Sequence, residues 1–148
     1  MRYWRVHYYI NEILSKSEKG GGFLQVGDSL VFGFVHSVKA WLFDYKAFYE
    51  TDSYLKCNVV YLRKVEDLEF SIKKAIGQFL TENGKIIIDN FEHNKEDVWR
   101  IHGGLLKKGV EVDILKSRYM VISNPGTIKG VLKSKMKFET YKKMLENG

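Results

Sequence analysis

The chain has 148 residues, of which 45% are hydrophobic and only one is proline, and its net charge is +6 at pH 7. These values are typical of one globular domain and exclude a disordered or low-complexity chain. The single cysteine, Cys57, excludes an internal disulfide and a multi-cysteine zinc site, so a reducing, cytoplasmic location is expected. No hydrophobic signal segment or long apolar run occurs, so we expect no membrane partner.

The positive charge is concentrated in the last third of the chain. Residues 116–148 contain eight basic and two acidic residues, a net charge of +6, so residues 1–115 are neutral overall. A local excess of this kind is what a phosphate-facing surface requires. The alternative is a solvated lysine-rich segment that only improves solubility.

The first 50 residues are predicted to form a β-hairpin followed by a helix. Alternating aromatic and polar residues over 2–10 predict a strand, the glycine-rich segment 15–22 predicts a loop, and residues 23–35 have the composition of a second strand. Ser37 can then cap a helix. The apolar face of that helix would comprise Val38, Trp41, Leu42, Tyr45 and Tyr49.

Residues 57–123 carry the clearest pattern, which predicts a βαβαββ core. Strands are expected over 57–62, 86–88, 110–114 and 119–123, with helices over 67–83 and from Asn94 to Gly109. The apolar stripe of the second helix comprises Val98, Ile101, His102, Leu105 and Leu106. The fold class is therefore α/β, with α+β as the alternative, and the sheet is expected to be mixed.

The segment 124–148 is expected to add one more strand, because Leu132, Ser134, Met136 and Phe138 alternate with lysines. Those lysines could contact a nucleic-acid backbone or protect a sheet edge from pairing with another chain.

Polar residues follow the apolar strand 86–88, at an edge where parallel sheets often bind ligands. Asp89, Asn90 and His93 provide an acid, an amide and an imidazole, which could together bind a metal or transfer a proton. The alternative is that Asp89 caps the following loop and His93 is exposed. No second spaced histidine or carboxylate supports a metal site, so none is expected.

Residues 58–123 resemble one half of a phospholipase D-like nuclease or phosphodiesterase module. The matching pieces are the element Lys108-Gly109-Val110, which ends a helix, and the strand over 119–123. Where that family has its His-x-Lys motif, this chain has Lys116-Ser117-Arg118. The resemblance therefore implies a phosphate-binding relic rather than a catalyst, and half-modules of this kind often need a two-fold partner.

Two further segments are similar to other families. Residues 110–113, Val-Glu-Val-Asp, resemble the metal-binding strand of restriction-endonuclease-like nucleases, but the next strand lacks the Glu-x-Lys of that family. Residues 25–34 are similar to a strand in PUA-like RNA readers.

The leading hypothesis is a non-catalytic nucleic-acid-associated protein that uses no cofactor and that could form a homodimer. Its phosphate contacts would be Lys116, Arg118, Lys129, Lys133, Lys135 and Lys137. One alternative is a nuclease or phosphodiesterase that depends on a divalent metal and uses Asp89, Glu111 or Asp113. The other is a protein-interaction or inhibitor module that presents the aromatic side chains of Tyr3 and Tyr9.

Overall fold

A computed structural model describes residues 5–17, 21–27, 31–37, 39–53 and 55–123. Its six strands form one mixed sheet in the order β2-β1-β3-β4-β6-β5. The first four strands pair in parallel, and β6 lies antiparallel between β4 and β5. The strands are β1 (Gly22–Val26), β2 (Lys39–Phe43), β3 (Cys57–Arg63), β4 (Leu80–Asp89), β5 (Val112–Leu115) and β6 (Tyr119–Ile122). The α/β class and the βαβαββ order are confirmed.

Helices cover both faces of the sheet. The helix α1 (Val6–Ser15) and a 3₁₀ turn (Phe32–Phe34) pack on one face, together with Phe23, Tyr61, Ile87 and Tyr119 from the sheet. The helices α2 (Tyr45–Glu50), α3 (Leu68–Lys74) and α4 (Phe91–Lys107) pack on the other face. Both faces of the central strands are therefore buried, which explains the continuous apolar runs of β3 and β4.

The strand predicted over 2–10 is wrong in its described part, because Val6–Ser15 is a helix. Val6, Ile10 and Leu14 are all buried and recur every four residues, which is a helical repeat. The alternation of aromatic rings near the N-terminus misled the prediction. The four-residue repeat of apolar residues, together with Ile13, indicates the helix.

The predicted hairpin and the helix after it are also wrong. β1 ends at Val26 and pairs in parallel with β2, so the two strands are joined by a crossover that contains the 3₁₀ turn. Residues 39–43 gain backbone hydrogen bonds from β1, and the helix is confined to Tyr45–Glu50. Its cap is Asp44, which accepts a hydrogen bond from the Ala47 amide at 2.7 Å.

The helix predicted over 67–83 begins as expected but ends early. Asp67 caps α3 by accepting the Phe70 amide at 3.0 Å. One π-helical turn, Ala75–Phe79, then leads directly into β4, whose first residue pairs with Cys57. Gly84 belongs to this strand, and a Cβ there would lie 2.6 Å from Leu80 Cδ1, so glycine permits the close packing of an irregular strand.

The helix α4 contains a kink at Asn94, with φ of −151° and ψ of 76°, and the helix expected from Asn94 is the part that follows this kink. Only part of its apolar stripe is buried. The Asn94 side chain accepts from the Asp97 amide at 3.2 Å and donates to the Asp97 carboxylate at 2.7 Å. Val98 and Leu105 reach the core, whereas 52% of Leu106 is exposed. The strand predicted over 132–138 lies outside the described residues. Within the described part of the chain, no helix is long and apolar enough to span a bilayer.

A tight turn joins β5 to β6. Lys116 and Ser117 both adopt left-handed backbone angles, with φ of 54° and 53°, and the Arg118 amide donates to the Leu115 carbonyl at 3.1 Å. Non-glycine residues pay roughly 1 kcal/mol or more for this conformation. The turn therefore holds Arg118 in place at an energetic cost.

We expect the double substitution Lys116→Asn and Ser117→Gly to raise the free energy of unfolding by about 1 kcal/mol, because Asn-Gly suits two successive left-handed residues. Urea unfolding would measure the change. Ser53→Gly, at an exposed serine without a left-handed φ, is the control and should not stabilise the chain. A destabilised double variant would contradict the turn geometry.

We expect the Cys57 thiol to be unreactive in the native protein, because burial raises its pKa to about 12. The thiol ionises at a lower pH in the unfolded chain than in the folded chain. Its contribution to the free energy of unfolding is therefore complete below about pH 9 and decreases as the pH rises toward 12. Labelling with an aromatic disulfide reagent at neutral pH should be slow in buffer and fast in denaturant. Fast labelling in buffer would show that the thiol is accessible.

Candidate functional site

A buried carboxylate at the carboxyl end of β4 joins three strands. Asp89 Oδ2 accepts hydrogen bonds from the Tyr61 hydroxyl and from Arg63 Nη1, each at 2.7 Å. Arg118, which directly precedes β6, donates to Asp89 from Nε and Nη2 at 3.2 Å. Asp89 is only 5% exposed, so burial of its charge depends on these donors. We call Tyr61, Arg63, Asp89, Arg118 and Tyr119 the Asp89 cluster.

The two guanidinium groups of the Asp89 cluster differ in exposure. The Arg63 side chain is 8% exposed, whereas that of Arg118 is 38% exposed. In the described part of the chain, Nη1 of Arg118 has no hydrogen-bond acceptor. Arg118 is therefore oriented by Asp89 through one edge of its planar group, while the rest can reach a ligand.

The two tyrosines keep their protons in this environment. Burial and then the negative charge of Asp89 raise the pKa of Tyr61, so its hydroxyl donates to the carboxylate. Burial and Asp89 likewise raise the pKa of Tyr119, whose ring lies 5.2 Å from the Arg118 guanidinium. The hydrogen bond to Asp89 raises the pKa of Arg118. The formal charge of the cluster is therefore +1.

Asn90 fixes the loop next to the cluster. Its side-chain oxygen accepts from the Val65 amide at 2.8 Å, and its side-chain nitrogen donates to the Val65 carbonyl at 3.0 Å. The Lys64 amide donates to the Asp89 carbonyl at 3.2 Å, and Lys64 has a left-handed φ of 52°. The ends of β3 and β4 are thus held at a fixed separation.

Two exposed lysines flank the cluster. Lys64 follows Arg63, and Lys116 lies two residues before Arg118. Neither lysine forms an ion pair with another described residue. The exposed acid Glu92 lies close enough to influence the pKa of Tyr119. Together with Arg118, the lysines form an edge at which a multiply charged anion would find several cationic partners.

The carboxylates proposed for a metal site do not converge. Ile88 and Ile114 both pair with Met120, so Asp113 lies two strands and two residues away from Asp89, roughly 12 Å at standard strand spacings. Glu111 precedes β5 and is exposed. Both oxygens of Asp89 already accept hydrogen bonds. Among the described residues, no group of three or more His, Cys, Asp or Glu side chains could hold a metal ion.

His93 is also separate from the Asp89 cluster. Its Nε2 lies 3.6 Å from Glu66 Oε1, at the start of α3, and a third of its side chain is exposed. The pairing of Asp89 with His93, which a proton-transfer role would need, is not formed. Of the predicted phosphate contacts, Arg118 bonds to Asp89, and Lys116 lies in the turn that precedes it. Lys129, Lys133, Lys135 and Lys137 lie outside the described residues.

Sequence reasoning missed Tyr61, Arg63 and Tyr119. Tyr61 and Arg63 are two residues apart on β3, so both side chains point to one face, and Arg63 pairs directly with Asp89 across the parallel strands. That two-residue spacing was visible in the sequence. The register between β3 and β4, which brings them to Asp89, was not.

A cleft of about 610 Å³ lies at the opposite end of the strands, between α1 and the start of β4. Its acids Glu12 and Glu82 are matched by Lys16 and Lys85, and Lys16 pairs with Glu12 at 3.0 Å. This cleft lacks the excess of positive charge that surrounds Arg118.

We expect Asp89→Ala to lower the free energy of unfolding by about 3–5 kcal/mol, because it leaves the buried Arg63 charge without its carboxylate. Arg118→Gln should cost only about 1 kcal/mol, since Arg118 is partly exposed and Asp89 keeps Arg63 and Tyr61. Urea unfolding would measure both changes. Adding Arg63→Met to Asp89→Ala should recover part of the loss. Similar losses for Asp89→Ala and Arg118→Gln would contradict this ranking.

Comparison with known proteins provides no family for this chain. No protein-family model matches it. No curated protein matches it either.

Proposed function

We propose that the chain is a non-catalytic nucleic-acid-binding protein that contacts phosphate groups at the carboxyl edge of its parallel strands. The observation that supports this most directly is Arg118, which Asp89 orients through two hydrogen bonds while 38% of its side chain stays exposed. An arginine fixed in this way loses little further conformational freedom when it binds a phosphate.

The charge around Arg118 supports an anionic ligand. Asp89 balances one of the two guanidinium groups, and Lys64 and Lys116 add two exposed ammonium groups with no ion-pair partner among the described residues. Phosphate oxygens accept hydrogen bonds from arginine in a planar geometry and attract lysine as a point charge. A phosphate ligand therefore suits this edge better than a neutral molecule.

The sequence after β6 favours a chain of phosphates over a single one. Residues 124–148 contain six lysines and two glutamates, and in the sequence they come just after β6, the strand that Arg118 precedes. One phosphate needs two or three cationic partners, whereas a nucleic-acid backbone presents a continuous row of charges. Contacts of this kind position the partner without reading its sequence.

The occupied carboxylate supports binding rather than catalysis. Asp89 accepts four hydrogen bonds from three side chains, so coordination of a metal would require it to give up donors in a buried site. The turn residues Lys116-Ser117-Arg118 provide no imidazole to attack a phosphate. The relation to phospholipase D-like modules remains part of this proposal.

We expect Arg118→Gln and Lys116→Gln each to weaken nucleic-acid binding about fivefold to tenfold and to reduce the slope of log affinity against log salt by about one. Fluorescence anisotropy with labelled single- and double-stranded DNA and RNA at low salt would measure both effects. Among the described residues, Lys116 forms no hydrogen bond or ion pair with Asp89, so its variant separates binding from the stability that the Asp89 cluster provides.

The control is Arg100→Gln. The Arg100 side chain is 61% exposed on α4, on the other face of the sheet, and its ion-pair partners among the described residues are Glu69 and Asp97. This variant removes the same charge and should bind as well as the original protein. Absence of binding by the unmodified chain, or equal losses in all three variants, would refute the proposal.

A further inference from the structure

The outer face of α4 presents large apolar side chains that the chain leaves exposed. Trp99 is 46% exposed and Leu106 is 52% exposed. The Trp99 ring packs edge-on against Phe91 and His102, at centroid distances of 5.4 and 5.6 Å, which holds it in a defined position. Exposed large apolar groups that adjoin along a helix are typical of a protein interface.

Gly103 lies between these two side chains on the same face. A Cβ at Gly103 would meet no atom within 4 Å, so internal packing does not require glycine there. A glycine inside a helix costs roughly 1 kcal/mol relative to alanine. A gap of this kind beside Trp99 allows a second helix to approach closely.

The charges along this face suit a second copy of the same helix. Glu96 and Lys107 lie on the same flank, about 60–80° around the helix from Trp99 at 3.6 residues per turn. Both side chains are exposed, and neither forms an ion pair with another described residue. A helix face with an acid near one end and a base near the other is complementary in charge to a second copy of itself that runs antiparallel.

We propose that α4 pairs with α4 of a second copy, antiparallel and two-fold symmetric, with the axis near Gly103. In this arrangement Trp99 of each copy packs on Leu106 of the other. Glu96 and Lys107 of the two copies then lie on the same side, within about 3 Å of each other along the helix axis. The pair forms two equivalent ion pairs beside an apolar centre.

A charge swap tests this pairing by sedimentation over a wide range of protein concentration. Glu96→Lys alone and Lys107→Glu alone should each raise the dimer dissociation constant about tenfold, because each places like charges opposite one another twice. The double variant should restore it to within about threefold, and mixing the two single variants should favour the heterodimer. A monomer at every concentration, or a double variant as weak as the single ones, would overturn the proposal.

Cross-linking gives an independent test of the register. Gly103→Cys places a thiol near the two-fold axis, so oxidation should yield a covalent dimer. Gly104→Cys is the matched control, because its Cβ also meets no atom within 4 Å but points to a different side of the helix. The native Cys57 is fully buried and should not interfere. Equal cross-linking of the two variants, or cross-linking of Gly104→Cys alone, would exclude this arrangement.

Discussion

The pairing of the Asp89 carboxylate with two arginines is the interaction on which the centre of this fold depends. A carboxylate and a guanidinium, each less than a tenth exposed, would be very costly to bury separately. Together they tolerate burial only if β3 and β4 keep the register that places Arg63 opposite Asp89. Arg118 adds the same requirement for β6. The ion pairs therefore select one arrangement of three strands whose apolar residues could pack in several.

The same interaction links stability to the proposed function. Asp89 uses one edge of the Arg118 guanidinium, so the group that would meet a phosphate is already oriented before binding. The left-handed turn at Lys116 and Ser117 carries an energetic cost at the point where this orientation is set. Removing Asp89 should therefore affect binding through Arg118 as well as folding. Lys116 is useful because it separates the two effects.

Local signals in the sequence were enough to find elements that begin with a cap and continue as a clear stripe. Asp67 caps the helix that was expected to begin there, and Asn94 caps the part of α4 that follows its kink. Predictions were wrong where contacts between distant segments decide the structure. Leu80 joins a strand because Cys57 lies opposite it. Residues 39–43 form a strand because β1 lies beside them. No local propensity contains that information.

The candidate site was predictable in part for the same reason. Asp89 was found because it follows an apolar strand, and Arg118 was found because it belongs to the basic last third of the chain. Their contact spans 29 residues and depends on the antiparallel register of β4 and β6. Arg63 and Tyr61 were missed because the residues around β3 gave no reason to regard them as polar partners. Only the parallel pairing of β3 with β4 identifies them.

The two proposals together determine how a dimer would meet its ligand. The helix α4 starts at the carboxyl edge, immediately after Asp89 and Asn90, and the stretch after its Asn94 cap runs about 20 Å away from that edge. If two copies pair through antiparallel α4 helices, their carboxyl edges face opposite ends of the assembly. One short duplex could not then contact both Arg118 side chains from the same side. The dimer would instead bind two separate segments of nucleic acid. Linking the two sites would therefore favour bridging of two segments over tighter binding to one segment.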